Sequence, residues 1–149
     1  MATIDFDAIG AGIAARFAPG VVTPPTGLGN IRRSSADLPN ALTVLPVVLV
    51  MPDRGSLAPG NGSRLVETDW LVRFHFSITK DLPRETNACQ KWLGILIDQV
   101  RVGEVVGVGP PVAVVRVNSY RVGVLPYGRR DYTGIELGVR ATLTHAWAA

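Results

Sequence analysis

Residues 70–78 read Trp70-Leu71-Val72-Arg73-Phe74-His75-Phe76-Ser77-Ile78, and this stretch decides the fold. Trp70, Val72, Phe74, Phe76 and Ile78 alternate with Leu71, Arg73, His75, Ser77 and Thr79. A period of two puts successive side chains on opposite faces of a strand, so the first set predicts a core face and the second a more exposed one. The strand is predicted over Arg64 to Thr79. Directly after it the period changes. Over Asp81 to Val102, the residues Cys89, Trp92, Leu93, Leu96, Ile97 and Val100 recur at three-and-four spacing, which marks a helix with one apolar stripe. Asp81 can cap its start, Pro83 is tolerated in its first turn, and Gly103 follows its end. The stripe is expected to pack on the Trp70–Ile78 face.

Downstream, Val112 to Leu125 predicts a strand, Pro126 to Asp131 a turn, and Tyr132 to Trp147 a further strand in which Ile135, Leu137, Val139, Ala141 and Leu143 alternate with polar or small residues. Upstream, Asn40 to Met51 predicts a strand that bends or lies at an edge near Pro46. Phe6, Ile9, Ile13 and Phe17 fall on one face of a helix over Asp5 to Ala18, with Asp5 as its N-cap. Gly10 and Gly12 weaken that helix by about 1 kcal/mol each relative to Ala, so packing has to hold it. The order is α-β-β-α-β-β. It predicts a single α+β domain over 1–149, with a four-stranded, mainly antiparallel sheet and helices packed on one face. Pro24, Pro25, Gly27 and Gly29 predict an irregular arm at about 19–39. Pro52 to Ser63, rich in Gly and Pro, predicts an exposed, mobile loop.

Of the 149 residues, 47% are hydrophobic and only 18% charged, against roughly 25% charged in an average soluble domain. Mean hydropathy is +0.24. A membrane-spanning helix needs about 20 consecutive apolar residues. The most apolar stretch, Ala41 to Met51, is short and broken by Pro46, so no membrane association is expected. Asp5 and Asp7, with no early Lys or Arg, do not make a signal peptide. The chain is therefore expected to be soluble, made in the cytoplasm, and to bury its surplus apolar surface against partners. The net charge of +3 is spread along the chain, and Lys80 and Lys91 are its only lysines. Arg enrichment with Lys depletion marks interfaces. A GC-rich genome gives the same bias.

Catalytic, cofactor and metal patterns do not emerge, and the expectation is a protein without enzymatic activity, cofactor or metal. His75 and His145 alternate within strands and read as outward or rim residues. Cys89, the single cysteine, reads as a small core residue on the helix stripe. Glu67 and Asp69 share a strand face, but calcium takes about six to eight oxygens, so a solvated strand edge is the better reading. Gly107-Val108-Gly109 leads into Pro110-Pro111 rather than into the helix N-terminus that a phosphate-binding loop requires. Asn61-Gly62-Ser63 matches a glycosylation sequon only by accident in a chain with no secretion signal. Arg129 and Arg130 lie between Tyr127 and Tyr132, and Arg with aromatic rings can clamp single-stranded nucleic acid. Asp131 and Asp37 lie alongside these basic pairs. A small nucleic-acid-binding or packaging-associated protein is thus the alternative to an assembly subunit.

Four stretches carry a likeness to a known family: Ala14-Ala15-Arg16-Phe17, Glu67-Thr68-Asp69-Trp70-Leu71-Val72-Arg73-Phe74, Ala88-Cys89-Gln90-Lys91-Trp92-Leu93-Gly94-Ile95-Leu96, and Tyr132-Thr133-Gly134-Ile135-Glu136-Leu137. In size, order and texture the chain resembles the tail terminator proteins of long-tailed phages, and more loosely the neighbouring tail-completion and head–tail joining proteins. The resemblance implies an α+β fold without an active site, found in the virion. It implies a ring, commonly a hexamer, that ends the tail tube, joins it to the head connector or head-completion protein, and meets nucleic acid only as it passes through. Closed rings are built from heterologous, head-to-tail contacts. Arg32, Arg33, Arg54, Arg64, Arg129 and Arg130 are expected to contribute to subunit, tube or connector contacts.

Overall fold

The computed structural model describes residues 4–59, 63–101, 104–106 and 112–146. The elements run α1 (Phe6–Ala15), β1 (Arg33–Ser35), β2 (Val47–Pro59), β3 (Ser63–Ile78), α2 (Leu82–Arg101), β4 (Glu104–Val106), β5 (Val112–Tyr127) and β6 (Arg130–Ala146). The fold is α+β. All strands join one six-stranded sheet in the order β1-β2-β3-β6-β5-β4.

The sheet corrects the four-stranded expectation. The four long strands do pair antiparallel, in the order β2-β3-β6-β5. Two short strands extend them. β1 pairs parallel to β2, making the sheet mixed, and β4 pairs antiparallel to β5. Each is three residues long, too short to show an alternating pattern in sequence.

Both helices pack on one face of the sheet. The core there joins Ile9 and Ile13 of α1 and Cys89, Trp92, Leu96 and Val100 of α2 to Val72, Phe74, Ile135, Leu137 and Val139 of the sheet. The Phe74 and Trp92 ring centroids stand 4.9 Å apart. The Asp5 carboxylate caps α1 by accepting the Ala8 N–H at 3.0 Å. Gly10 is explained by close approach: a Cβ there would meet the Trp70 ring at 2.8 Å. The residue that weakens the helix is the one that lets it lie on the sheet.

The segment predicted as an irregular arm is mostly irregular, but it is anchored. Val22 and Ile31 are buried in the same core, and Arg33–Ser35 form β1. The predicted loop over 52–63 is instead largely strand. Residues 52–59 pair with β3 as far as Pro59↔Arg64, with an irregularity between Pro52 and Arg54, and 60–62 lie outside the described residues. Pro and Gly are tolerated there because this part of β2 is an outer strand.

The β5–β6 connection is a two-residue hairpin. Tyr127 pairs with Arg130, and Gly128 takes φ 61° at the first central position, the place where a type II′ turn uses glycine. The face away from the helices has a smaller buried group near this hairpin: Val47, Leu49, His75, Leu125 and Tyr132. His75 therefore corrects the rim expectation. It is fully buried, with the Tyr127 and Tyr132 rings edge-on at 5.6 and 5.4 Å. The Tyr127 hydroxyl donates to the Pro39 carbonyl and ties the segment before β2 to the hairpin.

Candidate assembly surfaces

The register of the central strands sorts the polar side chains of the far face into rows. Arg54, Asp69, Arg140 and Arg116 lie side by side across β2, β3, β6 and β5. Arg140 donates from Nε to Asp69 Oδ1 at 2.9 Å and from Nη2 to Asp69 Oδ2 at 3.4 Å, and its Nη1 lies 3.1 Å from Glu67 Oε2. The hydrogen bond from Arg140 holds the Asp69 carboxyl below its usual range, against a smaller opposing effect of burial. In a second row Arg73 Nε donates to Glu136 Oε2 at 2.7 Å, and Arg121 approaches the same carboxylate at 3.9 Å. Glu67 and Asp69 thus correct the solvated-edge reading. β3 is flanked by β2 and β6, and a guanidinium already neutralises both acids.

The six arginines singled out in sequence do not form one surface. Arg129 is in the β5–β6 turn and Arg130 opens β6, both exposed. Arg33 is half-buried in β1 opposite Val47, and the Arg32 N–H donates to the Pro46 carbonyl at 2.8 Å. Arg54 lies in the outer half of β2, exposed and 3.9 Å from Asp53. Arg64 lies in β3 opposite His145, and its side chain is outside the described residues. Along β6, the Arg130 and His145 positions are separated by roughly 50 Å of extended chain. The set therefore divides between the two ends of the sheet.

Other exposed groups form better-defined surfaces. A groove of about 960 Å³ lies between α1 and the outer half of β2, lined among others by Phe6, Ala11, Ala15, Leu57, Val66 and Trp70. Phe6 and Leu57 are 43% and 63% exposed. At the other edge of the sheet, on the helix face, Tyr120 of β5 pairs with Leu137 and is 61% exposed. Beyond the β1 contact at Val47–Leu49, the outer side of β2 has no strand partner among the described residues. The same holds for β5 beyond the β4 contact at Val112–Val114. Sequence reading passed over Leu57 because its neighbours Pro52, Gly55 and Pro59 look like turn residues. It passed over Tyr120 because the irregularity between Val117 and Ser119 shifts the alternation of β5.

Among the described residues, no three His, Cys, Asp or Glu side chains converge to hold a metal ion, and no helix is long and apolar enough to cross a membrane. Burial pushes the Cys89 thiol up to about 12, so it stays protonated at neutral pH. Burial, with a smaller contribution from Arg73, depresses the His75 imidazole to about 4. Neither of its ring nitrogens has a hydrogen-bond partner among the described residues. The His145 side chain, residues 107–109 and residues 61–62 of the sequon are outside the described residues. No protein-family model matches the chain, and no curated protein matches it.

Proposed function

We propose that this chain is a structural, non-enzymatic virion subunit. It acts as the tail terminator of a long-tailed phage, or as a neighbouring neck protein, and forms a ring, of six copies as is common in the family it resembles. The observation that carries this reading is the pair of unlike strand edges, at opposite ends of one sheet, that have no strand partner among the described residues: β2 beyond Leu49 and β5 beyond Val114. A closed ring needs two different, complementary surfaces on one subunit. Open sheet edges are natural templates for pairing with another chain. Exposed Phe6, Leu57 and Tyr120 beside those edges fit the same purpose. In this reading the ring's end faces meet the tail tube protein on one side and the head connector or head-completion protein on the other.

The test is electron microscopy of the protein mixed with polymerising tail tube protein. The reading expects a ring at one end of each tube and a halt to tube growth. Tubes that lengthen unchanged, with no terminal density, would refute it. A monomer whose affinity for DNA falls steeply with salt would favour the nucleic-acid-binding alternative.

A further inference from the structure

We propose that residues 38–46 are a strap that closes only over a neutral His75. Proton uptake by this imidazole frees the strap and the Tyr127 ring, while the core on the helix side stays folded. The proposal stands apart from the ring reading.

His75 lies on the face away from the helices and is fully buried. Its backbone pairs with Val47 of β2 and Gly134 of β6. The planes of the Tyr127 and Tyr132 rings stand at 71° and 79° to the imidazole. Neither imidazole nitrogen has a hydrogen-bond partner among the described residues. A neutral ring in that position leaves polar atoms unsatisfied. An imidazolium would be a buried charge with no acceptor, which costs far more.

The neighbouring groups do not compensate a positive charge. On β3, Arg73 is two residues away on the same face and carries the same sign. Glu136 of β6 is already held by Arg73 Nε at 2.7 Å and approached by Arg121 of β5 at 3.9 Å. β2 presents Val47 and Leu49, and β1 brings Arg33, opposite Val47. Arg130 and Asp131 at the hairpin are exposed, as is Asp37, the one titratable residue between β1 and β2. Tyr132 and Tyr127 bring phenols, and the Tyr127 hydroxyl is committed to the Pro39 carbonyl. Burial, with Arg73 adding to it, depresses the imidazole to about 4, in keeping with this setting.

The strap is the weakest part of the cover. Outside the strand ladders, its backbone accepts two hydrogen bonds among the described residues: Arg32 N–H to the Pro46 carbonyl at 2.8 Å, and the Tyr127 hydroxyl to the Pro39 carbonyl. The other walls are the ladders of β2, β3, β6 and β5. Local opening follows the segment with the fewest such ties. Tyr127 joins the strap to a ring that packs on His75, so releasing the strap lets water reach the imidazole. The open form takes up its proton at the ordinary value of 6.5, and the closed form only near 4. Between those values each lower pH unit therefore raises the open population about tenfold.

Native-state hydrogen exchange tests the device. Protection of residues 31–35 and 125–131 is expected to fall about tenfold per pH unit from about pH 6 to about pH 4.5, and to ignore low urea, as exchange through a local opening does. In His75→Phe the fall should be lost. Protection in these stretches that equals that of α2 and falls with urea beside it means whole-chain unfolding, and overturns the proposal. The same fall in His75→Phe does so too. A second measurement leaves His75 in place: its titration is followed by NMR of the histidine-labelled chain, with His145→Gln assigning the other resonance. Tyr127→Phe removes the tie to Pro39 and should weaken the strap about tenfold. His75 should then titrate about one pH unit higher. An unmoved midpoint means that the ring takes its proton without the strap opening, and overturns the proposal.

Discussion

The Gly10 backbone lies against the Trp70 indole, so that a Cβ at position 10 would stand 2.8 Å from Cζ3 of the ring. Helix propensity alone says that Gly10→Ala should stabilise α1 by about 1 kcal/mol. Overpacking costs about 1–3 kcal/mol, and the rigid indole is anchored by the hydrogen bond that its Nε1 donates to the Thr68 hydroxyl at 2.9 Å. Overpacking should win. Urea unfolding of Gly10→Ala is expected to show a lower midpoint with an unchanged m-value; a raised midpoint would mean that α1 does not press on Trp70.

His75 makes stability depend on pH in a definite direction. Its folded-state imidazole is depressed to about 4, below the ordinary value of 6.5. Between those values the unfolded chain binds the proton and the folded chain does not, so stability falls as pH drops through that window and is level above it. A gap of this size corresponds to roughly 3 kcal/mol. The unfolding midpoint of the native chain should drop between neutral pH and pH near 4.5. That slope should largely vanish in His75→Phe, and a variant keeping the full slope would show that another group carries it.

The start of α2 depends on Glu85. Its carboxylate accepts the N–H groups of Lys80 at 3.0 Å and Asp81 at 3.2 Å, and the Thr133 hydroxyl of β6 at 2.8 Å. Burial pushes this carboxyl up, but the hydrogen bonds from Thr133, Asp81 and Lys80 together bring it below its ordinary value. Its contribution is therefore complete above the usual carboxylate range and lost as pH falls through the folded value. Glu85→Ala should lose about 1–2 kcal/mol by thermal or urea unfolding at neutral pH. A loss no larger than that of Thr133→Val alone would mean the backbone contacts contribute little.

Arg129 and Arg130 stand exposed on the tight hairpin that ends β5. In the ring account they face a partner stacked on the ring, not the neighbouring copy. Reversing both to Glu should weaken capture of tail tube or connector in a pull-down by at least tenfold and leave the native mass unchanged. Unaltered capture would remove the hairpin from the partner surface.

The main architecture could be read from periodicity because the relevant strands and helix are long. β3 and α2 each bury one regular face, and both patterns run far enough to be recognised. What stayed hidden was tertiary. The outer half of β2 contains Pro52, Gly55 and Pro59, residues that an edge strand accommodates and a central strand does not. β1 and β4 are too short to alternate. His75 sits on the predicted outer face. It is buried because the Tyr127 and Tyr132 rings close over that end of the sheet, and nothing in the local pattern around Phe74 and Phe76 announces them. The arginines were visible as residues but not as places, since only the register shows that Arg54 and Arg130 belong to opposite ends. The groove depends on how α1 crosses Trp70, which the spacing of Gly10 and Gly12 hints at only by weakening the helix.

The mass of the purified chain in solution, measured by multi-angle light scattering from low to high salt, bears most directly on self-assembly into a closed ring. The account predicts one discrete species at about six times the 15.9 kDa chain mass, unchanged as salt rises because apolar side chains and strand pairing hold it. A monomer at every protein and salt concentration would contradict it.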